Sequence, residues 1–166
     1  MLNILTVPYN SKYFYIRPDT SLNRDSNDYF CLDGIKELAV FHFIYVKFTK
    51  AGKAIPSKFA RRYYSNIGEG IHLTAPQLIN NQHPDSWWLA NSLDNSTFLF
   101  DNIESNNLSG EELENYYKII DTAIENASKY VSFRTGDILS IELRMNNIDT
   151  NCTEYIFKDK KINIIW

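Results

Sequence analysis

Glu37 to Phe48 reads ELAVFHFIYVKF. Almost every position is apolar, and Val, Phe, Ile and Tyr dominate. Branched and aromatic side chains favour the extended chain. An unbroken apolar run of this kind suits a strand covered on both faces. Alternation along the strand puts Ala39, Phe41, Phe43 and Tyr45 on one side. Leu38, Val40, His42, Ile44 and Val46 fall on the other. A strand buried twice over needs cover on each side.

The flanking sequence is also mostly β. Upstream, Leu2 to Val7 and Tyr13 to Ile16 are short runs of strand formers, separated from the central stretch by the polar Asn23 to Asn27 and the Asp33-Gly34 turn. Downstream, Ala51-Gly52 begins a turn, and Pro56-Ser57 opens a short helix through Arg61 to Tyr64. Gly68 and Gly70 bracket a tight passage into a strand from Ile71 to Thr74. Asn80 to Asp85 is a polar loop, Ser86 to Leu93 carries Trp87 and Trp88, and Thr97 to Phe100 reads as a strand.

One long helix stands out. Ser109-Gly-Glu-Glu112 is a capping box, in which the serine hydroxyl accepts an orphan backbone N–H and Glu112 reaches back. Leu113, Tyr117, Ile120, Ile124, Ala127 and Val131 then recur at helical steps, with Glu114, Lys118, Asp121 and Glu125 on the polar face. Gly136-Asp137 leads into a strand from Ile138 to Met145, and a hairpin of Glu154 to Phe157 and Ile162 to Trp166 ends the chain. The order predicts an α+β fold with a mixed sheet, one short helix and one long C-terminal helix, residues 1–166 forming a single domain.

Composition narrows the function classes. The chain has 166 residues, 44% hydrophobic and 14% aromatic, enough for a packed core. Its net charge of -3, from 17 basic and 20 acidic residues, leaves no footprint for nucleic acid. Lys58, Arg61 and Arg62 form a short basic cluster at helical spacing, which reads as a solvated helix face. Cys31 and Cys152 lie far apart without metal-ligand spacing, as idle thiols of a reducing compartment do. The start lacks a signal-peptide pattern, and no run reaches the roughly 18 apolar residues of a membrane span. These features predict a cytoplasmic protein with no membrane partner.

Several segments, in order, resemble the fumarylacetoacetate hydrolase family, in particular its small 2-hydroxyhepta-2,4-diene-1,7-dioate isomerase and acylpyruvate hydrolase proteins. Tyr15-Ile-Arg-Pro-Asp-Thr-Ser-Leu22 is similar to the family's strand-end segment with its Lys-Pro pair. Lys50-Ala-Gly-Lys-Ala-Ile55 and Phe59-Ala-Arg-Arg-Tyr-Tyr64 resemble the turn and helix after its metal-binding strand. Ile67-Gly-Glu-Gly-Ile-His-Leu-Thr-Ala75, Trp88-Leu-Ala-Asn-Ser-Leu-Asp94 and Tyr130-Val-Ser-Phe-Arg-Thr-Gly-Asp137 resemble later segments in the same order. The resemblance implies a mixed β-sandwich roll of the family's C-terminal-domain type, a homodimer, and a Mg or Mn ion held by an E-x-E pair and an Asp. Oxygen ligands suit such a hard cation, which would polarise a 2-oxo acid.

The carry-over fails at the ligands. Anchored on Lys50 to Ile55, the E-x-E positions fall on Phe41 and Phe43 and the Asp position on His72. Asn91 replaces the expected lysine, and Ile141 to Arg144, containing Glu142, replaces Thr-Gly-Thr-Pro. No Arg-Asn-Tyr-x-x-His segment precedes Tyr13. Phenylalanines offer no lone pairs, so neither metal nor cofactor is expected. Phe41, Phe43, His72, Asn91 and Glu142 mark a degenerate pocket, with no catalytic residue assigned.

Two functional readings follow. The favoured one is a non-catalytic homologue, a pseudoenzyme acting as a binding module for a small organic acid or as a partner subunit. The other is a hydrolase, isomerase or hydratase of 2-oxo acids using substitute groups, with His72 and Glu142 sharing a site. His42 faces away from Phe41 and Phe43, so it is not expected to pair with His72 on a metal. His83 reads as a solvated loop residue, and Asp94 and Asp101 as turn residues. Trp87-Trp88 with Tyr63-Tyr64 could wall a pocket or a dimer contact, although aromatics at these spacings are more often core. No Gly-x-Ser-x-Gly elbow or phosphate loop is present.

Overall fold

The computed structural model describes residues 2–103 and 108–166. The strand read from Glu37 to Phe48 is β4, with the same bounds, Glu37–Phe48. It lies between two long neighbours, both antiparallel to it: β5, Tyr64–Thr74, and β7, Ile138–Asp149. Beyond β7 lie β1, Ile4–Val7, parallel to β7, and β2, Tyr15–Arg17. Beyond β5 lies β6, Thr97–Asn102. A second sheet holds β3, Asp28–Phe30, parallel to β9, Lys160–Ile165, with β8, Glu154–Phe157, on its other edge. The fold is α+β with mixed sheets, as expected from the sequence.

One face of the large sheet has two kinds of cover. At one end Ile44, Val46, Leu139 and Ile141 pack beneath α3, Gly110–Ser128, through Ile120, Ile124 and Ala127. At the other end Val40, Ile71, Leu73 and Phe98 meet Tyr29, Phe157, Ile162 and Ile164 of the second sheet. Burial of a side chain of this kind contributes about 1.5–3 kcal/mol, so these contacts hold α3 and the second sheet against the large one. The capping box forms: Ser109 Oγ accepts from the Glu112 N–H at 3.2 Å, and Glu112 accepts from the Ser109 N–H at 2.9 Å.

The helices differ from expectation in detail. The short helix α1 is Ser57–Ala60, and its neighbour Arg61 reaches α3, pairing with Glu114 at 2.7 Å and Asp121 at 3.2 Å. The basic cluster is thus partly neutralised by the long helix. A second short helix, α2, Ser86–Asn91, was not read from the sequence. Its single apolar turn is too short to show a 3.6-residue period. Among the described residues no helix is long and apolar enough to cross a membrane.

Gly68 and Gly70 do not lead into β5 but lie inside it. Opposite them on β4 sit Tyr45 and Phe43, whose rings fold over the glycines. A Cβ at either position would overlap the facing ring, and at Gly70 also the Phe98 carbonyl. Glycine inside a strand often marks such a close approach. Here it makes room for aromatic cover on the opposite face of the sheet from α3.

Candidate functional site

Alternation places a polar set on that second face. Register aligns Tyr15 with Thr6, Thr6 with Ser140, Ser140 with Tyr45, and Glu142 with Phe43. On the other side Phe41 faces His72, and His72 faces Thr97. A bulge in β7 between the His42 and Phe43 pairings leaves Leu143 as the extra residue. Such a residue reverses which way the strand's side chains point. Glu142 therefore turns to the polar face, while Arg144, two residues on, turns to His42 on the other and donates to its Nδ1 at 2.9 Å.

His72 is completely buried and sits in the middle of a hydrogen-bond chain. Its Nδ1 is 3.1 Å from Thr97 Oγ1 and its Nε2 is 3.2 Å from Ser140 Oγ. Ser140 Oγ is 2.9 Å from Thr6 Oγ1. Arg17, also completely buried, donates from Nε to Thr97 Oγ1 at 3.2 Å and from Nη2 to Ser96 Oγ at 2.6 Å. Its Nη1 has no partner among the described residues. Burial, and then the charge of Arg17, hold the His72 pKa well below the ordinary imidazole value. A neutral ring that donates through one nitrogen and accepts through the other satisfies its own polarity. Phe43 stacks on it with ring centroids 4.0 Å apart at 25°.

A second cluster adjoins the first. The Tyr15 hydroxyl lies 3.3 Å from Glu142 Oε1 and 3.4 Å from Asn91 Oδ1. The Tyr9 N–H donates to Glu142 Oε2 at 3.2 Å, and Asn91 Nδ2 donates to the Trp87 carbonyl at 2.8 Å. Trp87 and Trp88 meet the Tyr15 ring edge-on, at 4.7 and 5.9 Å. Desolvation raises the Glu142 pKa to about 7, against the opposing pull of the Tyr9 N–H, Arg17 and Tyr15. Burial likewise pushes Tyr15 up to about 12. A carboxylate poised near neutrality beside a hydroxyl is equipped to exchange a proton.

Phe41, Phe43, His72 and Glu142 thus occupy one face of neighbouring strands, and Tyr15 ties Asn91 to Glu142. Sequence reasoning missed Tyr15 and Arg17 as site residues. Their signal was a polar pair two positions apart on a short strand, which becomes meaningful once their face is known. His42 lies on the opposite face with Arg144, Asn146 and Tyr155, its pKa lowered to about 4 by burial and then by Arg144. Tyr64 binds Asp121 beneath α3, so the tyrosine pair and the tryptophan pair do not share a wall. His83 and Asp94 are exposed, and Asp101 belongs to strand β6 rather than to a turn, its side chain lying outside the described residues.

The residues present do not fit a hard divalent ion. Both nitrogens of His72 are committed to hydroxyls, and the Phe43 ring covers its face. Among the described residues no three His, Cys, Asp or Glu side chains gather where they could hold a metal. A site for Mg or Mn needs several converging oxygens.

No protein-family profile and no curated protein sequence matches this chain. Solved structures do. A protein from Oleispira antarctica assigned as a fumarylacetoacetate isomerase/hydrolase superposes with a TM-score of 0.76 at 15% identity, over 99% of this chain and 94% of that one. A protein from Yersinia pestis assigned to the fumarylacetoacetate hydrolase family gives 0.74 at 15% identity, over 99% and 92%. The fumarylpyruvate hydrolase from Pseudomonas aeruginosa, solved with Mn2+ and pyruvate, gives 0.73 at 10% identity, over 98% and 89%. Likeness at these identities is likeness of architecture, and the architecture of this chain is that of the fumarylacetoacetate hydrolase family.

Proposed function

We propose that this chain is a metal-independent, non-catalytic homologue within that fold, a single-domain binding module or partner subunit that associates as a homodimer. The observation that supports it most is the Phe43–His72 stack, with both imidazole nitrogens hydrogen-bonded to neighbouring hydroxyls. Rings and satisfied hydroxyls occupy the face where an ion and its waters would need room and lone pairs. Phe41, Phe43, His72, Asn91 and Glu142 are then the remains of a pocket, its polar end at Tyr15, Asn91 and Glu142. A small organic acid is the ligand class this reading assigns to it. The two free cysteines accord with a cytoplasmic location.

A second reading rests on a different observation, the buried Glu142 carboxylate 3.3 Å from the Tyr15 hydroxyl, where desolvation raises its pKa to about 7. In an isomerase of 2-oxo acids, Glu142 would remove the proton beside the carbonyl and Tyr15 would return one at the new position; in a hydrolase, Glu142 would take the proton of the water that attacks the acyl carbonyl, and Tyr15 would protonate the departing enolate carbon. Fold alone does not choose between the two readings. Incubating the purified protein with acylpyruvates and oxaloacetate does. The first reading expects no turnover above that of Glu142→Gln; turnover that this substitution abolishes, with a pH limb near 7, establishes the second. Sedimentation velocity tests the dimer, and a monomer at all concentrations would remove that part of the proposal.

A further inference from the structure

A groove opens on the opposite face of the large sheet from Phe43 and His72. Thr6 and Ser140 point to the His72 side, so their strand neighbours Val7 and Ile141 point away, beneath α3. There Val7, Ile141 and Phe14 form one wall of a cavity of about 500 Å³, and Ile119 and Ala123 of α3 form the other. Helix α3 thus carries a second apolar stripe. Ile120, Ile124 and Ala127 are buried against the sheet, while Ile119 and Ala123, beside them, remain half-buried. The groove continues past Phe14 and Lys12 into a second hollow bordered by Tyr13 and Tyr130, both largely exposed.

Charge at the rim is of one sign. Lys12 and Lys118 line the cavity from opposite walls, and both are exposed. Neither forms an ion pair among the described residues. Of the acidic side chains of α3, Glu112, Glu114, Asp121 and Glu125 turn instead to Ser109, Arg61, Tyr64, Ser57 and Lys129. A trough of this size with an apolar floor, and with Ser11, Asn115, Thr122 and Asn126 beside the two lysines along it, has the anatomy of a small-molecule pocket. Two ammonium groups with no carboxylate partner among the described residues, that of Lys12 lying 5.6 Å from the Tyr13 ring centroid, complement one carboxylate.

We infer that this groove binds a medium-chain alkyl carboxylate, its tail between Ile119, Ala123 and Ile141 and its headgroup between Lys12 and Lys118. The site is independent of the polar face and of the reading given to it. Calorimetry with hexanoate, octanoate and decanoate tests it on the full chain. The expected result is saturable binding that tightens about fourfold per added methylene, the factor for burying a CH2. The double change Lys12→Gln and Lys118→Gln, both on the surface, should weaken decanoate about fivefold at low salt and leave decanol unchanged. Ala123→Trp should remove binding while the thermal melt stays cooperative. Absence of saturable decanoate binding, an affinity indifferent to chain length, or equal loss of decanoate and decanol in the lysine variant would each overturn the inference. So would a dimer that Ala123→Trp breaks, since a second copy would then be the occupant. If the tryptophan variant fails to fold, the chain-length series and the lysine pair decide.

Discussion

Phe43 lies face to face with His72 across the β4–β5 pair, ring centroids 4.0 Å apart, with Gly70 beneath the phenylalanine. The glycine admits the ring, the ring covers the imidazole, and the imidazole keeps both nitrogens on hydroxyls. Each member depends on the one below it. Removing the phenylalanine side chain leaves a void over a buried polar group. Phe43→Ala should therefore destabilise the protein by about 3–5 kcal/mol. Urea unfolding measures it, and a loss under about 1 kcal/mol would mean that the ring is not packed as described.

The two glycines of β5 should respond unequally to alanine. At Gly70 the added methyl meets both the Phe43 ring and the Phe98 carbonyl, whereas at Gly68 it meets the Tyr45 ring, which is half-buried and freer to move. Overpacking of this kind costs about 1–3 kcal/mol. Thermal melts should rank Gly70→Ala as the more damaging change. The reverse order would contradict the aromatic cover at Phe43.

Glu142 gives stability a signature in pH. Its pKa rises from 4.5 to about 7 on folding, so between these values the folded state holds the extra proton. The associated stability is present below about 4.5 and is lost as pH rises through about 7, a difference on the order of 3 kcal/mol. Glu142→Gln removes that dependence. The stability of the glutamine variant relative to the parent should climb from pH 4.5 to about 7 and then level off. A constant difference across this range would show that Glu142 titrates normally.

His72 and His42 act in the opposite direction. Burial lowers both, so the unfolded chain takes up their protons first as the solution is acidified. The stability they contribute is complete above about 6.5 and declines below it. His72→Gln should flatten the acid limb of stability measured by urea unfolding from pH 7 to 5. An unaltered slope would place the His72 pKa at its ordinary value.

Much of this architecture is legible in the chain itself. The run from Leu38 to Phe48 announces a strand buried on both faces, and Ser109 with Glu112 marks where α3 begins. The sites are harder to read, because they depend on which face each residue takes. Tyr15 and Arg17 look like ordinary positions of a short strand until register places them beside Glu142 and Thr97. The bulge at Leu143 has no local sequence mark, yet it decides that Glu142 and Arg144 face opposite ways. Gly68 and Gly70 mislead for a physical reason: glycine usually interrupts a strand, but here facing rings supply the missing side-chain cover.

Beside His72, rings and hydroxyls stand where a divalent ion would need oxygen donors. Calorimetric titration of the unmodified protein with MnCl2 at neutral pH measures whether such an ion binds. No saturable heat up to millimolar ion, and no rise in melting temperature with added Mn2+, is the predicted result. Stoichiometric binding at micromolar Mn2+, abolished by His72→Ala, would contradict it.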